Sequence, residues 1–116
     1  MGQGILFAGG RVFTGGRLVP CEVLVRDGRI AAVGTDLERT GCQVVELEGN
    51  ILSPGFLDVH THGGAGVDIN AAGQADLEKL SAFFASQGVT GFLASILTDT
   101  VEATERAIDH VCAFMD

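Results

Sequence analysis

"GFLDVHTHGG", residues 55–64, is the stretch on which both fold and chemistry turn. Phe56 to Val59 is an apolar run broken only by Asp58, which predicts a strand covered on both faces. His60 and His62, two of the chain's three histidines, follow at once. Side chains at i and i+2 of a strand share a face. Two imidazoles ~7 Å apart at Cα can then converge on one cation. Gly63-Gly64 lets the backbone depart sharply. The C-terminal end of a parallel strand is where α/β barrels and open sheets place their ligands. On spacing alone, the same histidines also fit two polar side chains hydrogen-bonded to loop backbone. A catalytic zinc usually has three protein ligands, and this stretch offers two imidazoles. Asp68 lies nearby in a small-residue loop, residues 63–73, where a turn or solvated acid is the expected role. Asp58 alternates with His60, and either buttresses a ligand or bonds a neighbouring strand.

Outward from this stretch the pattern divides at Pro54-Gly55. Before it come short alternating runs and tight turns, the pattern of β structure. "CEVLVRDGRIAAVG", residues 21–34, predicts a hairpin turning on Asp27-Gly28, a pair suited to a type I′ turn. Gln43 to Leu47 predicts another strand, with a turn at Gly49-Asn50. After the divide, residues 76–87 predict a helix with Leu77, Leu80 and Phe84 on one stripe and Gly88 at C′. Residues 89–97, "VTGFLASIL", predict a second strand. Asp99 or Thr100 can cap a helix over 101–115, whose expected inner face is Val101, Thr104, Ile108, Val111 and Met115. Strand, loop, helix, strand, helix is a βαβα unit of a parallel α/β fold. His110 is expected as a helix-packing or surface residue. The final "HVCAFMD" stops inside the helical pattern, which predicts an N-terminal piece of a longer protein.

Composition narrows the function classes. A formal charge of −8 disfavours phosphate-backbone partners, so no nucleic acid is expected. No apolar run reaches the ~20 residues a bilayer requires, so no membrane partner is expected either. Cys21, Cys42 and Cys112 are scattered and odd in number, which fits packed, reduced thiols in a cytoplasmic protein. Arg11, Arg17, Arg26 and Arg29 are expected as surface charges of the β region.

The run "LSPGFLDVHTHGGAGVD", residues 52–68, resembles the metal-binding signature of the amidohydrolase superfamily, and "VLVRDGRIAAVG" is similar to the hairpin that precedes the barrel in these enzymes. With "SQGVTGFLASILTDT", the glycine-rich continuation most resembles the N-acetylglucosamine-6-phosphate deacetylase family. The resemblance implies an α/β fold: a small β-sandwich joined to a TIM-like (β/α)8 barrel. Residues 1–53 would supply the N-terminal part of the sandwich, and residues 54–116 the first two βα units of a barrel left incomplete in this chain. It implies a divalent metal ion (Zn, Fe, Mn or similar), with His60 and His62 as ligands, and a phosphorylated amino sugar as substrate. The family's glutamate ligand, its later histidines and its catalytic aspartate fall beyond residue 116. No catalytic residue is therefore assigned in this chain, no substrate-binding residue is identified, and the isolated chain is expected to be inactive. Open strand edges predict a homo-oligomer or assembly into a larger protein. The alternatives are a dihydroorotase- or hydantoinase-like cyclic amide hydrolase and a non-catalytic binding module.

Overall fold

The computed structural model describes residues 4–115; residues 1–3 and 116, at the outer ends of the two expected ranges, lie outside it. The chain divides into two compact units, Met1–Pro54 and Gly55–Asp116.

The first unit is all β. Its strands are β1 (Gly4–Ala8), β2 (Arg11–Thr14), β3 (Arg17–Val19), β4 (Glu22–Arg26), β5 (Arg29–Gly34), β6 (Cys42–Glu46) and β7 (Ile51–Leu52). One sheet has the order β5-β4-β1-β6 and the other β3-β2-β7. β1 pairs antiparallel with β4 and parallel with β6. β1 alternates, burying Leu6 and Ala8, whereas β4 beside it buries the consecutive Val23 and Leu24; Val12 is buried in the second sheet. Asp27 and Gly28 both take positive φ, 49° and 71°, so the β4–β5 connection is the expected tight hairpin. The loop after β5 is tied to β4 by Glu22. Its carboxylate accepts the Leu37 N–H at 2.8 Å and pairs with Arg39. Within that loop, hydrogen bonds from Thr40 hold the exposed Glu38 carboxyl below the usual carboxylate range.

The second unit contains β8 (Phe56–Thr61), β9 (Gly63–Gly64), β10 (Val67–Asp68), α1 (Gln74–Ser86), β11 (Val89–Ala94) and α2 (Val101–Met115). β8 and β11 are parallel and adjacent, with α1 on the connection between them. α1 buries the expected stripe of Leu77, Leu80 and Phe84. Gln87 closes it, and the Gly88 N–H bonds the Ala85 carbonyl at 3.0 Å, as a C′ glycine does. Thr100 caps α2 by accepting the Ala103 N–H at 3.2 Å, which settles the choice between Asp99 and Thr100; Asp99 instead accepts the Thr100 N–H. Among the described residues no helix is long and apolar enough to cross a membrane.

Four expectations need correction. Residues 63–73 are not a loose loop: β9 and β10 form a hairpin turning on Ala65-Gly66, and Val67, Ile69 and Ala72 enter the core. β11 ends at Ala94, three residues short: its pairing with β8 stops at Ala94 opposite Thr61, closed by the Ser95 N–H on the Thr61 carbonyl at 2.8 Å. The inner face of α2 is rotated. Ala107 is buried, and Val111 and Phe114 pack on the core, while Val101, Ile108 and Met115 are exposed. A face centred on an alanine is one that spacing of large apolar residues does not reveal. Finally, β8 is not covered on both faces. Phe56, Leu57 and Val59 are each about two-thirds exposed, since β8 has only β11 beside it among the described residues.

Candidate metal centre

His60 and His62 stand at the C-terminal end of β8 and do converge. Their Nε2 atoms are 3.2 Å apart and their rings meet edge to face, with centroids 5.0 Å apart. His62 is half-buried and His60 exposed. The His62 Nδ1 lies 2.8 Å from the Ser95 carbonyl oxygen. A carbonyl only accepts, so Nδ1 carries the proton and Nε2 presents its lone pair. In the neutral pair His60 Nε2–H therefore donates to His62 Nε2. Two imidazole ligands on a tetrahedral zinc would have nitrogens ~3.3 Å apart, from Zn–N distances of ~2.0–2.1 Å. The observed separation suits both a hydrogen bond and a shared ion. Anchoring the far nitrogen of a ligand histidine on a carbonyl is a common way to fix its tautomer.

The surrounding acids do not join the pair. Asp58 Oδ1 accepts the backbone N–H of His60 at 3.1 Å, so its bond is local to its own strand. Asp68 Oδ1 accepts the Asn70 N–H at 3.0 Å, the turn role expected of it. Among the described residues no group of three or more His, Cys, Asp or Glu side chains is placed to hold a metal ion. His110 packs as a helix residue, its Nδ1 donating to the Ala72 carbonyl at 2.9 Å. The three cysteines are free, and Arg26 reaches the Cys42 Sγ and the Thr40 carbonyl.

Two participants escape sequence reasoning. Ser95 acts through its backbone carbonyl, and so carries no side-chain signal. Asn70 bonds both backbone groups of Leu97, donating to its carbonyl at 3.0 Å and accepting its N–H at 2.9 Å. A polar amide among small residues is the one hint the sequence holds.

No family model matches the chain. It is 33% identical over 92 residues to N-acetylglucosamine-6-phosphate deacetylase of Lysinibacillus sphaericus, covering 79% of this chain and 24% of that protein. It is 47% identical over 53 residues to dihydroorotase of Lactobacillus helveticus, covering 46% of this chain and 12% of that protein. In fold it matches a variant of N-acetyl-D-glucosamine-6-phosphate deacetylase from Mycobacterium smegmatis, solved with N-acetyl-D-glucosamine-6-phosphate. The TM-score is 0.85 at 27% identity, over 97% of this chain and 29% of that one. The chain thus spans less than a third of the length of each of these three proteins. In sequence across most of its length, and in fold across nearly all of it, this chain is similar to N-acetylglucosamine-6-phosphate deacetylases.

Proposed function

We propose that this chain forms the β-sandwich portion and first two βα units of a metal-dependent amidohydrolase. Its reaction is removal of the acetyl group from N-acetylglucosamine 6-phosphate, giving glucosamine 6-phosphate and acetate. The observation that carries the chemistry is the pair of Nε2 atoms 3.2 Å apart, with the tautomer of one fixed by the Ser95 carbonyl. His60 and His62 would hold a divalent ion such as Zn, Fe or Mn, with further donors supplied from outside the described residues. When bound, such an ion lowers the pKa of water and polarises an amide carbonyl. The chain's own part is to orient two neutral imidazoles at a strand end. The Ser95 carbonyl holds the His62 proton on Nδ1, and β8 places His60 on the same face. None of its side chains is assigned as acid or base, and the open edges of β8 and β11 fit assembly with further strands or with a second copy.

The substrate assignment rests on the breadth of the likeness to the deacetylases. The higher identity to a dihydroorotase over a shorter stretch favours a second reading, hydrolysis of a cyclic amide. The deciding assay uses the polypeptide that carries this chain in its native reading frame. Acetate release from N-acetylglucosamine 6-phosphate should be at least about 100-fold faster than ring opening of dihydroorotate. It should fall about 100-fold or more in His60→Asn and His62→Asn, the loss of ~2.7 kcal/mol of transition-state stabilisation. Faster ring opening than acetate release supports the second reading, and full activity in both variants removes the histidines from the site.

A further inference from the structure

The hydrogen bonds around His62 close into a ring. Its Nδ1–H bonds the Ser95 carbonyl at 2.8 Å. Two residues on, Leu97 gives its N–H and its carbonyl to the amide of Asn70. One residue back, the Ile69 N–H returns to the His62 carbonyl at 3.0 Å. The ring thus grips His62 by side chain and backbone together. Ile69 is its fixed point, with no exposed surface. Asn70 is braced by its own N–H on Asp68 Oδ1.

The segment carrying Ser95 needs such a grip. It follows the end of β11 and has no regular structure before α2. Ile96 packs on the core, but Leu97 beside it is half exposed, so its own burial does little to fix it. Ser95 is otherwise tied by its N–H on the Thr61 carbonyl at 2.8 Å and by a long bond from its hydroxyl to the Leu93 carbonyl at 3.5 Å. The amide orientation of Asn70 is dictated by its partners, since an N–H needs an acceptor and a carbonyl a donor.

We propose that Asn70 is a positioning residue for the His60–His62 pair: by clamping Leu97 it keeps the Ser95 carbonyl on the Nδ1–H of His62, and so keeps the Nε2 lone pair aimed at His60. Any role in metal binding rests on the function proposed above; the effect on the tautomer does not.

The test uses the polypeptide that carries this chain in its native reading frame, labelled with 15N on histidine, at a pH where the nitrogen shifts show both rings neutral. Nitrogen–proton correlations report which ring nitrogen carries the proton. Wild type should show His62 as the Nδ1–H form. Asn70→Ala should give a mixture of tautomers at His62 and weaken zinc binding, read on the same nitrogens, by about 10–100-fold. Asn70→Asp keeps the acceptor for the Leu97 N–H and loses the donor, so it should fall between the two. A folded Asn70→Ala chain with His62 still wholly Nδ1–H overturns the proposal. Should Asn70→Ala fail to fold, the isosteric Asn70→Asp decides, and an unchanged tautomer there overturns it equally. If zinc never perturbs the wild-type histidine nitrogens, the metal-binding function fails, while the tautomer comparison still judges Asn70.

Discussion

At the scale of single residues, the approach of the two imidazoles was legible because a period of two is a property of any strand. Ser95 and Asn70 were not, because they act through hydrogen bonds to backbone between segments that are distant in sequence. Gly63 shows how much depends on the residue just beyond the pair. It has a φ of +140°, and a β-carbon built there would lie 2.0 Å from the Val67 carbonyl oxygen. That atom is backbone of the facing strand β10 and cannot rotate aside. Gly63→Ala should therefore destabilise the chain by at least ~1–3 kcal/mol from backbone strain alone. It should also shift the backbone resonances of His62, which precedes it. Urea denaturation and an amide correlation spectrum check both, and a variant of wild-type stability would mean that the β9–β10 hairpin tolerates another geometry.

At the scale of elements, spacing succeeded where one large apolar stripe dominated and failed where small residues did the packing. α1 buries Leu77, Leu80 and Phe84 as their spacing requires. α2 buries Ala107 instead of Ile108, and a small side chain gives a count of large apolar residues nothing to find. The same limit hid the β9–β10 hairpin, whose glycines and alanine give no alternating signal. Capping, in contrast, is a local matter of hydrogen-bond chemistry, and Thr100 fills the role with its hydroxyl on the Ala103 N–H. Thr100→Ala should cost about 1 kcal/mol, and Thr100→Ser should cost much less because the hydroxyl remains. Thermal unfolding of the three proteins gives the ordering. Equal losses in both variants would assign the effect to the threonine methyl group and not to the cap.

At the scale of the whole molecule, the two-unit division at Pro54 and the parallel β8–β11 pair leave an imbalance between surface and core. Phe56, Leu57 and Val59 of β8 are 66%, 63% and 64% exposed, and Leu93 of β11 is 58% exposed. Exposed apolar side chains and open strand edges of this kind drive association, either with further elements of a larger protein or with other copies. The charge of −8 opposes self-association through repulsion that salt screens over a Debye length of ~10 Å at 0.1 M. Added salt weakens the repulsion and leaves the apolar term in place, so it should favour association. Sedimentation of the 116-residue chain should show association that rises with protein concentration and rises again with added salt. Leu57 and Val59 share the face of β8 opposite His60, so Leu57→Lys with Val59→Lys should return the chain toward monomer without touching the imidazole pair. A wild-type chain that stays monomeric at high salt and high concentration would show that this apolar surface is too small, or too divided, to recruit a second copy.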